Sequence, residues 1–266
     1  MRWCTLILAA ACGVGVPWPA GGQPPTAPQK PVTRAAEKPD GEEPVSEREA
    51  AAAFKEIGAT VEFDSQGHVL SVEAAGDKLT DAVAGKLAAC TSLESLDLGK
   101  SRISDAALRA ISGLASLKRL YVHDVPLTDN ALVHLQGLSR LNVLSLQNTK
   151  VRGAGLALLR THDKLRVVNL SGTEVGDNSL AYLSGLAELD TLALANSNVT
   201  GAGLKKLKPL ERLRVLNLNG CKIAGGELDG LLGHVALRML YIRRCGVPEK
   251  DIEEFEKKMV SLAIYR

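Results

Sequence analysis

From Val69 to Phe255 the apolar residues fall into columns 24 positions apart. Blocks starting at Val69, Leu93, Leu117, Leu141, Leu165, Leu189, Leu213 and Leu237 superimpose without insertion or deletion, which is the signature of a repeat array. The fourth column reads Val72, Leu96, Leu120, Leu144, Val168, Leu192, Leu216, Leu240, and the sixth and eleventh are equally apolar. Columns four and six alternate with period two, as in a half-buried strand, whereas apolar columns sixteen and nineteen lie three apart, as on one face of a helix. Each block is therefore expected to be a strand followed by a short helix. Thr80-Asp81, Ser104-Asp105 and Thr128-Asp129, at positions twelve and thirteen, are expected to supply N-cap oxygens to those helices. Gly153, Gly201 and Gly225 replace the second member of that pair, and Gly176 and Pro248 replace the first, so turn chemistry persists.

One block offers about six apolar side chains, each contributing roughly 1.5–3 kcal/mol on burial, against an ordering cost of about 1.5 kcal/mol per residue. A single block cannot fold alone. Stacking covers both faces of each interior repeat and leaves the ends to be capped. Ser46-Glu47-Arg48-Glu49 has the form of a capping box opening an alanine-rich helix over residues 47–57. Val61 and Phe63 then alternate with Glu62 and Asp64, turn at Ser65-Gln66-Gly67 and return through Val69, predicting a hairpin. Residues 46–68 are thus expected to cap one end, residues 69–260 to form eight repeats, and residues 261–266 to close the other end as a strand after a charged helix over 249–258.

The pattern L-x-x-L-x-L-x-x-[T/S/N/C]-x-[V/I]-[T/S]-D-x-x-L-x-x-L resembles the leucine-rich repeat, in the T-D-x-x-L style common in exported bacterial repeat proteins. It is also similar to the cysteine-containing repeats of F-box ubiquitin-ligase adaptors. The resemblance covers residues 69–260 and implies an α/β fold: a right-handed solenoid whose parallel strands line a concave sheet, with short helices outside. It implies an interaction fold rather than a catalytic one. In that family position nine forms an inward ladder bonded to the stacked loops; here it reads Asp77, Ser101, Val125, Thr149, Thr173, Ser197, Cys221, Cys245. Cys221 and Cys245 then read as buried structural thiols. A bridge between them is the alternative, because neighbouring strands about 4.8 Å apart lie within disulfide reach.

Ahead of the cap the chain changes character. Arg2 and the apolar run from Thr5 to Val16 read as a secretory signal over residues 1–22. Lipid attachment at Cys12 is a weaker alternative, since the leucine usual three places before the cysteine is Ala9 here. Residues 23–45 form a Pro-rich linker, extended and without a core. These features place the protein in the secreted, periplasmic or envelope compartment, with no membrane span in the mature chain. The rival reading, an intracellular F-box-like substrate-recognition adaptor, meets a signal-like N-terminus and only about 20 residues between linker and first repeat.

Composition narrows the chemistry. Aromatic residues are only 3%, so the core is aliphatic, and 32 basic against 30 acidic residues exclude the excess that nucleic-acid binding needs. The three cysteines outside the signal, Cys90, Cys221 and Cys245, show no CxxC spacing. The five histidines carry no HExxH pair; His162 and His234 share column twenty-two, usually leucine, and read as edge or loop substitutions. Gly153-Ala154-Gly155 and Gly201-Ala202-Gly203 lack the downstream Lys-Ser or Lys-Thr of a phosphate loop. No catalytic residue, cofactor or metal site is expected, and a monomer that binds a protein or peptide is.

The expected partner-binding residues lie in columns three, five and seven of the exposed strand face: Arg119, Tyr121, His123, Gln147, Asn169, Asn217, Asn219, Tyr241 and Arg243. That face runs from acidic (Glu73, Asp97) through amides to basic (Arg243, Arg244), with Tyr and Arg as potential interface anchors. The competing reading of each is an ordinary solvent-facing side chain.

Overall fold

A computed structural model describes residues 45–266; the expected signal, the Cys12 alternative and nearly all of the linker lie outside the described residues. Helix α1 (Glu47–Glu56) opens on the capping box, with Ser46 accepting from Glu49 N–H and the Glu49 carboxylate accepting from Ser46 N–H at 2.7 Å. Strands β1 (Thr60–Phe63) and β2 (Val69–Glu73) form the hairpin, antiparallel, with a register shift at Glu62/Phe63. From β2 onward every strand is parallel to the last and offset by one period. These are β3 (Ser95–Asp97), β4 (Arg119–Tyr121), β5 (Val143–Ser145), β6 (Val167–Asn169), β7 (Thr191–Ala193), β8 (Val215–Asn217), β9 (Met239–Tyr241) and β10 (Ala263–Tyr265). Column four pairs with column four throughout, as in Leu120↔Leu144↔Val168. Strand β10 keeps that register against β9, Ile264↔Leu240, so the period runs one strand past the eighth block. The fold is an α/β leucine-rich-repeat-type solenoid with one continuous sheet.

The core is a single aliphatic layer between sheet and helices. Column four is at most 1% exposed in all eight blocks. Apart from α2 (Asp81–Gly85), α3 (Asp105–Arg109) and α4 (Glu249–Lys258), the outer segment of each repeat is a 3₁₀ helix, as at Asp129–Leu135 and Ala154–Thr161. A strand must begin again within 24 residues, and the 3₁₀ helix, rising about 2.0 Å per residue, spans the outer layer in fewer residues than an α-helix.

Three local expectations change. First, Ser104 and Thr128 do cap their own helices, but Thr80 makes no side-chain cap bond. The aspartates of position thirteen reach the next repeat instead. Asp81 accepts from Ser104 N–H and Oγ–H at 2.7 and 2.6 Å, Asp105 from Thr128 at 2.8 and 2.5 Å, and Asp177 from Thr200 at 2.7 and 2.6 Å. Second, position nine turns inward except at the exposed Asp77, but Ser101, Thr149 and Thr173 donate to the carbonyl three residues back in their own repeat, at 2.7, 2.7 and 2.6 Å. Only Ser197, Cys221 and Cys245 reach carbonyls of the preceding repeat, while Asp77 instead pairs with Arg102 at 2.9 Å. Third, His162 and His234 are core residues, 1% and 4% exposed, rather than edge substitutions. Cys90 lies buried in the same column. The imidazole takes leucine's place because it can meet a backbone group: His162 Nε2 lies 2.9 Å from Leu135 O.

Burial gives His234 a pH signature. Desolvation holds its pKa below the ordinary 6.5, opposed in part by the Leu210 carbonyl. The folded state therefore binds this proton less readily than the unfolded chain. The linked stability is complete above about pH 6.5 and is lost as pH falls toward the depressed value. Urea midpoints measured at pH 7.5 and 5.5 should fall less on acidification in His234→Leu than in the parent; equal drops would contradict the assignment.

Candidate functional site

The face of the sheet opposite the core carries columns three, five and seven, at the ends and flanks of β2 to β10. Its geometry is set by column eight, where the chain leaves each strand. All eight residues there, Gly76, Lys100, Asp124, Asn148, Gly172, Asn196, Gly220 and Arg244, have positive φ. Five of them are non-glycine, with φ from 54° to 58°. This left-handed residue turns the chain sharply inward to position nine, a feature that the apolar columns do not show. Its signal was present, since six of the eight residues are Gly, Asn or Asp, the types that tolerate this conformation.

Column five closes the strand ends from within. Asp97, Asn169 and Asn217 each accept, through Oδ1, the N–H two residues on, at 2.9, 3.0 and 3.1 Å. Asn169 also donates to Gln147 Oε1 at 3.0 Å. These bonds explain why the amides are present, and burial is deep: Asn169 is 4% and Asn217 0% exposed. Asn219 Oδ1 accepts Arg243 N–H at 2.7 Å, which ties blocks seven and eight. Of the expected contact residues, Arg119, Tyr121, His123, Gln147 and Asn219 are half-buried and Arg243 is exposed.

His123 is the centre of a polar cluster at the N-terminal half. Its Nδ1 lies 2.8 Å from Asp124 Oδ2 and its Nε2 3.6 Å from Asp97 Oδ1. Asp124 Oδ1 in turn accepts Asn148 Nδ2–H at 2.6 Å. The bond to Asp97, then that to Asp124 and the charges of both, raise the His123 pKa against a desolvation penalty. A methyl group at Gly99 would collide with the imidazole ring, so His123 keeps this position only with glycine beside it. Arg119 Nε donates to Ser95 Oγ at 3.2 Å.

At the other end Tyr241 stacks on Tyr265, ring centroids 4.5 Å apart and planes 12° from parallel. Tyr265 stands one period beyond Tyr241, a relation readable from the numbering but overlooked. The stack is 9% exposed at Tyr241 and 39% at Tyr265, so the outer ring is the accessible one. Arg243 and Arg244 beside it are exposed, with Arg266 close to Glu249. The expected residues thus fall into two groups, one around His123 and one around Tyr241, with the buried amides of β6 and β8 between them.

Among the described residues no group of three or more His, Cys, Asp or Glu is placed to hold a metal ion. Among the same residues no helix is long and apolar enough to cross a membrane.

Family models described as leucine-rich repeats match residues 89–112 and 212–234. No curated protein matches the chain. Among solved structures, an internalin C2 from Listeria monocytogenes is similar with a TM-score of 0.52 and 21% identity, over 72% of this chain and 90% of that one. A leucine-rich-repeat protein of Leptospira interrogans aligns with a TM-score of 0.56 and 19% identity, over 68% of this chain and 45% of its own. The leucine-rich-repeat ectodomain of the Arabidopsis receptor kinase HAESA, solved in complex with an IDA peptide hormone, aligns with a TM-score of 0.62 and 17% identity, over 83% of this chain. The chain spans 41% of that ectodomain, less than half its length.

Proposed function

Because this chain is a leucine-rich-repeat protein, we propose that it is an exported, non-enzymatic recognition module whose open sheet face binds a protein or peptide. In this reading residues 1–22 are removed on export, residues 23–45 space the repeats from whatever holds the mature N-terminus, and the solenoid acts as a monomer. The observation that carries the proposal is the charge gradient on a rigid surface. Glu73 and Asp97 lie at one end and the exposed Arg243 and Arg244 at the other, with Arg119 and Tyr121 of β4 inward of the acidic pair. Fixed charges of opposite sign at the two ends orient an extended chain as well as attract it. Arg119, Tyr121, His123, Gln147, Asn219, Tyr241 and Arg243 are the proposed contacts, with Asn169 and Asn217 acting beneath them. The HAESA ectodomain supports the reading, since it is a relative in fold that holds a peptide hormone.

Surface substitution tests it. Arg119→Glu, Tyr121→Ser and Arg243→Glu combined should reduce capture of partners from the native envelope or medium by more than about tenfold. The circular dichroism should stay unchanged, because serine already serves in column five at Ser145. Undiminished capture would remove this face from consideration. N-terminal sequencing of the same preparation should begin near residue 23, and an intact Met1 would refute export.

A further inference from the structure

Two side chains that the binding face does not use lie together at the C-terminal end of the inward turns. Cys221 and Cys245 occupy position nine of consecutive repeats, both are buried, and neither is in a disulfide. Backbone bonds on both sides of the pair hold the two turns at ladder spacing: Gly220 N–H donates to Arg243 O at 2.7 Å and Ile223 N–H to Cys245 O at 3.4 Å. Backbones so paired run about 4.8 Å apart, inside the Cα range of about 4.4–6.8 Å that disulfides accept. Both sulfurs enter the same layer, Cys221 Sγ 3.8 Å from Leu194 O and Cys245 Sγ 2.8 Å from Leu218 O. Each therefore reaches back over the preceding turn, which carries the Cys245 sulfur onto the Gly220–Cys221 backbone and within hydrogen-bond range of the Cys221 thiol.

The geometry points to Cys221 and Cys245 as a modification site, a disulfide stapling repeats seven and eight that forms by exchange with a low-molecular-weight disulfide such as oxidised glutathione. The two thiols are unequal, which divides the labour. The Cys221 thiol and the N–H groups of Cys221 and Gly220 hold the Cys245 pKa below the ordinary thiol value, whereas burial, and then donation to Cys245, raise that of Cys221. Cys245 is also nearer solvent, at 6% exposure against 1%. The Cys245 thiolate attacks one sulfur of the small disulfide and expels the other as a thiolate. That leaving group, or water, takes the Cys221 proton. Cys221 then attacks Cys245 Sγ and releases the second small thiolate. Two cysteine thiols are oxidised to one disulfide, and one small disulfide is reduced to two thiols.

Reduced full-length protein treated with oxidised glutathione under native conditions, quenched in acid, alkylated in denaturant and digested with trypsin gives the test. Cleavage at Arg214, Lys222, Arg244 and Lys250 places the two cysteines in separate fragments, residues 215–222 and 245–250. The expected result is loss of alkylation at both cysteines and recovery of the two fragments linked. Cys90, whose pKa burial pushes up to about 11, should remain fully alkylated as the internal control. In Cys221→Ser, a substitution to the residue position nine already holds at Ser101 and Ser197, Cys245 should instead accumulate as its mixed disulfide with glutathione. Full alkylation of both cysteines in the oxidised parent, or a parent that stops at the mixed disulfide without linked fragments, would overturn the proposal.

Discussion

Leu144→Ala should cost about 2–5 kcal/mol, the upper half being expected because the site cannot collapse. Leu144 is fully buried at the middle of the array, and its strand is locked in register with Leu120 on one side and Val168 on the other. Neighbouring backbones pinned by ladder bonds cannot move in to fill the space left by the missing methyls. Stability in such an array is close to a sum of repeat and nearest-neighbour interface terms. A weakened central block lowers two interfaces at once and uncouples the N-terminal repeats from the C-terminal ones. Urea unfolding followed by circular dichroism should show the loss, together with a broader or stepped transition. Val133→Ala, at a side chain 47% exposed on the outer layer, should stay within about 0.5 kcal/mol. A Leu144→Ala loss under about 1 kcal/mol would contradict the close-packed single-layer core.

Much of this was legible from column positions. The period, the strands and the aliphatic core follow from apolar residues that recur without a gap, and the ladder pairs each of those columns with itself. The helix type was not legible, because columns sixteen and nineteen, three apart, fit a 3₁₀ helix as well as an α-helix. The aspartates were half legible. A carboxylate beside a helix start reads as a local cap, and only the fold shows that its partner lies about 23 residues ahead. The buried histidines were misread for a related reason: His162 looks foreign in a leucine column until the Leu135 carbonyl beside it is known. The candidate face was located by alternation alone, which fixes the side of the sheet a residue takes but not how deeply it is shaded. Alternation therefore placed Asn217 and Arg243 together, although one is fully buried and the other exposed.

Asp129→Ala should cost about 3 kcal/mol, more than removal of any other position-thirteen aspartate. Asp129 accepts three backbone N–H groups of the next repeat: Arg152 at 3.0 Å, Gly153 at 3.0 Å and Gly155 at 2.9 Å. Each donor left without its acceptor costs on the order of 1–3 kcal/mol if fully buried, and partial access of water brings the total toward the lower figure. Asp177→Ala, which strands one N–H and one hydroxyl of Thr200, should cost less. Asp129 can do more because position twelve of the next repeat is Arg152, with no hydroxyl to occupy the second carboxylate oxygen as Ser104, Thr128 and Thr200 do. All four aspartates share a match between position thirteen of one repeat and position fifteen of the next. Where thirteen is Asp81, Asp105, Asp129 or Asp177, the facing residue is Ala107, Ala131, Gly155 or Gly203, small enough to admit the carboxylate. Where thirteen is Gly153, Gly201 or Gly225, the facing residue is Ser179, Glu227 or Asp251, and a methyl group on any of those glycines would collide with it. One polar side chain occupies each junction, supplied from one side or the other. At the Asp129 junction a methyl group on Gly155 would stand 2.7 Å from Asp129 O. Asp129→Asn keeps an acceptor oxygen for part of the set and should fall between parent and alanine variant in urea midpoint. An alanine variant as stable as the parent would mean that solvent serves these three donors as well as the carboxylate does, and the junction rule would then describe packing alone.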